Sequence, residues 1–170
     1  MPKQFRRVVT GHNAEGKSCV LFDDIANNVR IPPDEPKVAM TDFWYSDECP
    51  AANAGNADAA DRPIVLQTPA NGSILRIVEL PPDSERSFSN LKGIDGGALQ
   101  KGQRHPGFHK TKTLDYIVVL EGEIHCLLDQ GEVVLKEGDV LIQRGTNHAW
   151  SNRSNKRCLL LGVMLDAKPL

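Results

Sequence analysis

The sequence predicts an all-β fold, a sandwich or small barrel, on three observations. No long segment repeats its apolar residues at helical spacing, short β-branched runs recur throughout, and Gly, Pro, Asn and Asp punctuate them every few residues. Phe5 to Thr10 and Ser18 to Phe22 flank His12-Asn13-Ala14-Glu15-Gly16 and read as a first hairpin. Val38 to Tyr45 reads as a further strand. Ser73 to Leu80 (SILRIVEL) is a stronger one, stopped by Pro81-Pro82. Between these two, Ser46 to Asn71 is rich in Ala, Asn, Asp and Pro and reads as an exposed excursion with no assigned role. Ser84 to Gly107 is polar and Gly-rich, with a short helical turn at Ile94 to Leu99. A loop that long is mobile or functional, for example a lid over a pocket.

The last third is the most regular. Strands are expected at Asp115 to Leu120, Glu123 to Leu128, Glu132 to Leu135, Val140 to Gln143, Ala149 to Asn152 and Arg157 to Leu165. The turns between them fall at Glu121-Gly122, Asp129-Gln130-Gly131, Glu137-Gly138-Asp139 and Arg144 to Asn147. The local order suggests an antiparallel meander. The alternation Glu123, Ile124, His125, Cys126 places Ile124 and Cys126 inside and His125 on a wet face.

At 170 residues the chain is expected to form a single domain, with N-terminal strands and a loop extension over 1–72 and a barrel core over 73–165. Its composition, 40% hydrophobic and 25% charged, is that of a globular protein. A formal charge of -2 and a pI of about 6.2 give no electrostatic reason to bind nucleic acid. No apolar run reaches the length of a membrane span, so no membrane partner is expected. Met1 to Thr10 is basic without the apolar region of a secretory signal, and a cytoplasmic location is the expectation. Cys19, Cys49, Cys126 and Cys158 are scattered without metal-type spacing and read as free thiols, in keeping with a reducing compartment.

Two stretches resemble the paired motifs of the cupin superfamily. The first runs from His109 through Thr111, Thr113 and Asp115 to Gly122. The second runs from Gly138-Asp139 through Gln143, Arg144, Gly145, Thr146, Asn147 and His148 to Asn152. The whole is similar to small, stand-alone cupins with an N-terminal strand extension. The resemblance implies a double-stranded β-helix, or jelly-roll barrel, and a metal site of three His and one Glu. Three positions depart from that pattern. Thr111 stands where the family has its second His, Asp115 where Glu is usual, and Gln143 where the second motif has Pro.

The positions that match imply His109, Asp115 and His148 as ligands of a divalent ion (Zn, Fe or Mn). Asp115 and His148 are the catalytic candidates. Two imidazoles and a carboxylate form a set that leaves coordination positions open for substrate, and the shorter Asp115 side chain is also suited to supporting the site from behind. Thr111, Trp150 and Arg76 are the candidate pocket residues. Trp150 shares a strand face with His148 and offers a ring wall. Arg76 sits in an apolar strand, where it would either receive a substrate carboxylate or belong to an exposed strand face. His105, in the loop leading to the first motif, reads as a mobile surface histidine, with a replacement ligand that swings in as the alternative. Tyr116 is expected to face away from Asp115, and Asp139 to serve its turn.

The resemblance implies a metal-assisted enzyme acting on a small carboxylic, aromatic or polyketide-like metabolite, as a lyase or isomerase. The alternatives are an Fe(II) dioxygenase using the same ligands and a non-catalytic binding module with a degenerate site. Uncovered strand edges lead to the expectation of a homodimer.

Overall fold

A computed structural model of the chain describes residues 1–88 and 103–169. Eleven strands make up the structure: β1 (Arg6–His12), β2 (Ser18–Ile25), β3 (Val29–Arg30), β4 (Ala39–Ser46), β5 (Ser73–Leu80), β6 (Thr113–Glu121), β7 (Glu123–Leu128), β8 (Glu132–Lys136), β9 (Val140–Arg144), β10 (His148–Ser151) and β11 (Cys158–Asp166). Among the described residues the only helical element is a 3-10 turn at Asp83–Glu85, so no helix is long and apolar enough to cross a membrane.

The strands form a six-stranded sheet ordered β3-β4-β5-β11-β6-β9, a three-stranded sheet ordered β10-β7-β8, and a separate β1-β2 hairpin. The two larger sheets build the double-stranded β-helix. Between them lies a core of Val38, Leu80, Val119, Ile124, Leu135 and Leu160, with Cys126 and Cys158 packed among them. Both thiols are fully buried, and burial raises them to about 11 (Cys126) and about 12 (Cys158), so neither ionises near neutrality.

The meander expected from local order is not what forms. β6 pairs with β11 and β9, whereas its successor β7 pairs with β10 and β8. The chain changes sheets at Gly122. This residue has φ 83°, and a Cβ there would lie 2.8 Å from the carbonyl oxygen of Arg157. Only glycine fits that crossing. Alternation within β7 is as expected, with Ile124 and Cys126 fully buried. β3 and β4 continue the large sheet beyond β5, so the sheet that bears the site begins upstream of residue 73.

The 47–72 stretch is irregular but not merely exposed. Asp58 receives both terminal nitrogens of the buried Arg7 at 2.8 and 2.7 Å, Ala60 is 3% exposed, and the carbonyl of Val65 accepts from Arg76 at 2.5 Å. The helical turn expected at Ile94 to Leu99 lies outside the described residues, as does most of the candidate lid.

Candidate functional site

Cavity walls come from the large sheet, from the segment entering β6 and from β10. The cavity they enclose measures about 510 Å³, within the range of small-molecule sites. Its wall is mainly apolar, with Val78, Leu80, Phe108, Ile117, Trp150 and Leu160 among the lining residues. His109, Thr111, Asp115 and His148 open into the same space.

The two histidines meet because the backbone pairs them. His109 N donates to His148 O and His148 N donates to His109 O, both at 2.9 Å, as an isolated antiparallel bridge. Directly paired residues point to one side of a sheet, and the ring centroids lie 4.3 Å apart at 53°. The Gly107 carbonyl is 2.9 Å from His109 Nδ1 and the Thr146 carbonyl 2.9 Å from His148 Nδ1. A carbonyl only accepts, so each Nδ1 carries the proton and each Nε2 the lone pair. His148 is 3% exposed. Burial, and then the neighbouring His109, hold it down at about 4, with the Thr146 carbonyl partly offsetting them, so it is neutral at physiological pH. Trp150, two residues on, meets its ring edge-on at 5.6 Å while also packing against the core, so wall and core roles coincide.

Asp115 is 5% exposed, and its Oδ1 is buried without a hydrogen-bond partner. Desolvation raises the carboxyl from 3.8 to about 6, offset in part by the Thr113 hydroxyl. Across the β6-β9 ladder Asp115 is paired with Gln143. The Gln143 amide donates to the Thr146 carbonyl at 3.2 Å and to the Thr146 hydroxyl, and packs 3.0 Å from His148 Nδ1. The residue that replaces the motif's Pro therefore fixes the Thr146 carbonyl that receives the His148 Nδ1 proton. Sequence reasoning registered Gln143 only as a departure.

The structure brings His109 and His148 together and puts Asp115 on the same cavity. It does not assemble the three as a ligand set: among the described residues, no group of three or more His, Cys, Asp or Glu is arranged to hold a metal ion. The donor set present therefore does not fit the metal site that the resemblance implies.

Other candidates are placed as follows. Arg76 lines the cavity, but its Nε and Nη2 bind Asp42 at 2.5 and 2.8 Å, and Nη2 also reaches the Val65 carbonyl. Tyr45 donates to the same Asp42. The fork expected to receive a substrate carboxylate is thus occupied by the protein's own. His105 does not swing toward His109. Its Nε2 lies 3.4 Å from Asp83, its Nδ1 accepts from Gly107 N at 3.0 Å, and its ring meets Phe88 edge-on. Thr111 accepts from Thr113 at 2.8 Å. Asn152, fully buried, donates to the carbonyls of Leu80 and Lys156 and so ties the end of β5 to the turn before β11. Asp139 accepts from Lys136 N in its turn, as expected, whereas Tyr116 lies off the cavity but is exposed to solvent instead of packed.

The cupin domain family matches residues 97–164. Over 96% of this chain and 77% of its own length, "Cupin-domain-containing oxidoreductase virC" of Hypocrea virens is 30% identical. Over 96% of this chain and 79% of its own, "Phomopsin biosynthesis cluster protein C'" of Diaporthe leptostromiformis is 33% identical. Among solved structures, a Cupin 2 conserved barrel domain protein from Salinispora arenicola aligns with 82% of each chain at 15% identity and a TM-score of 0.45. The chain belongs to the cupin-domain family.

Proposed function

We propose that this protein is an enzyme that takes a small oxygenated metabolite, of carboxylic or aromatic character, into the barrel cavity and moves a proton on it, as in dehydration, decarboxylation or isomerisation. One observation carries the reading: two paired imidazoles and a buried acid open into a single, mainly apolar cavity. The relatives support a biosynthetic setting, since one is named for a biosynthesis cluster.

The residues divide the work by environment. His148 presents a neutral Nε2 lone pair, the form a general base needs. Asp115, desolvated, keeps a proton up to about pH 6 and serves as the acid through its protonated fraction, so the acid step weakens as pH rises above that value. His109 crowds His148 and further disfavours a second positive charge on the pair. The apolar wall excludes water and strengthens both groups' action on the substrate.

A second reading, an oxidoreductase, is favoured by the name of the virC relative. It is separated from the first by oxygen uptake and metal content during turnover.

The test is solvent exchange. A panel of β-keto and β-hydroxy aryl acids is incubated with the protein in D2O and followed by mass spectrometry. The wild type is expected to incorporate deuterium or release product, with His148→Ala and Asp115→Asn each slowed about 100-fold or more. Turnover or exchange that survives both substitutions would overturn the assignment, as would none across the panel.

A further inference from the structure

The cations on the cavity wall are not equivalent. Arg76 is satisfied by Asp42 and the Val65 carbonyl. Arg86 lines the same cavity with its side chain 9% exposed, and its Nε is a buried donor with no hydrogen-bond partner among the described residues. Glu35, itself buried on the cavity wall, pairs with Arg86 as an ion pair, its Oε2 3.6 Å from that Nε and beyond hydrogen-bond range. Glu35 is held there because its Oε1 accepts from Phe88 N at 2.8 Å. The Phe88 ring covers the guanidinium at 4.3 Å.

Other charges around Arg86 do not fill the gap. Asp83 attracts it, but its oxygens are taken by Ser151 Oγ and Asn152 N, with His105 alongside. Asp34 and Arg30 lie on the same wall, both exposed to solvent, and offset each other. A buried guanidinium nitrogen left without a hydrogen bond is costly, and burial weakens the group's hold on its proton although Glu35 and Asp83 partly offset it. A ligand carboxylate oxygen is the acceptor that would complete the unpartnered Nε.

We propose that Arg86 binds the carboxylate of the ligand, which makes the substrate class a small organic acid with an apolar body. The role expected of Arg76 passes to Arg86. The apolar body lies along Phe108, Val78 and Trp150, and the reacting end faces His109 and His148. This assignment rests on the reading of the cavity as the active site.

The experiment uses trans-cinnamate and its uncharged amide, cinnamamide, as matched probes, with binding read by isothermal titration calorimetry and Trp150 fluorescence. The wild type is expected to bind the acid about 10-fold or more tighter than the amide, the discrimination of one charge-assisted hydrogen-bonded pair. Arg86→Met is expected to remove that preference while leaving amide binding within about twofold, and Arg86→Lys to keep part of it. The acid–amide comparison in the wild type stands even if a variant fails to fold. Equal binding of acid and amide, with both weakened by Trp150→Ala, would overturn the Arg86 assignment and leave the cavity reading intact. Binding of neither probe would overturn both. A preference for the acid that survives Arg86→Met would overturn the assignment to this residue.

Discussion

Replacing Asp115 by Asn is expected to stabilise the protein at alkaline pH while removing its activity. The carboxyl is buried, its Oδ1 is unpartnered, and desolvation lifts it from 3.8 to about 6. Above pH 6 the folded protein carries a charge that the unfolded chain would solvate. The gap between the two values corresponds to about 3 kcal/mol at pH 8, about half of that at pH 5, and nothing once both states are protonated. A raised carboxyl pKa favours folding at low pH, and that advantage is lost as pH rises through about 6.

His148 acts in the opposite sense. Held at about 4 instead of 6.5, it costs stability as pH falls through that interval. The two slopes oppose each other between about pH 4 and pH 6, so the wild-type profile alone conceals both. The difference between Asp115→Asn and wild type isolates Asp115. Urea denaturation at pH 5 and pH 8, with chelator present, is expected to show the variant more stable by up to about 3 kcal/mol at pH 8 and by clearly less at pH 5. A variant no more stable than wild type at pH 8, or a difference independent of pH, would refute the reasoning.

Arg76→Met is expected to cost about 3–5 kcal/mol of stability by leaving Asp42 buried without its partner, and to leave the acid–amide preference of the surviving folded protein unchanged; chemical denaturation and calorimetry report the two effects separately. Thiol titration is expected to label exposed Cys49 fast and partly exposed Cys19 more slowly, with Cys126 and Cys158 reacting only after denaturant is added. We propose a homodimer, because the edge strand β9 leaves Val140 at 61% and Ile142 at 50% exposure. Size-exclusion chromatography with light scattering is expected to return twice the chain mass, and a monomer at micromolar concentration would contradict it.

Strands of the last third were legible because each is a short apolar run bounded by its own turn residues. Glu123–Leu128 is found where expected, and its neighbours shift by only a residue or two at their ends. What local order did not reveal was sheet membership. A Glu-Gly turn looks the same whether the next strand folds back on its predecessor or crosses to the facing sheet, and here the Arg157 carbonyl against Gly122 belongs to the crossing. The two-residue β3 has no alternation to read.

The site divides in the same way. His109, Thr111, Asp115 and His148 stand on motif positions, the resemblance implies that they share a site, and Trp150 shares a strand face with His148; all five line the cavity. Arg76 is open in the sequence between a pocket cation and an exposed strand face, because its buried partner Asp42 lies 34 residues earlier, which alternation along one strand does not register. Arg86 sits in a polar segment without periodicity, so nothing local marked its burial. Its partners become visible only when Glu35 and Phe88 are brought beside it.

The central claim is that His109 and His148 form one wall of a ligand-binding cavity. Imidazole nitrogen NMR on protein labelled with ¹⁵N-histidine, titrated with trans-cinnamate, tests it most directly. Resonances of His109 and His148 are expected to move together and saturate, while those of His12 and His125, which lie outside the cavity, stay in place. Unmoved His109 and His148 signals, or shifts of the same size in His12 and His125, would contradict the account.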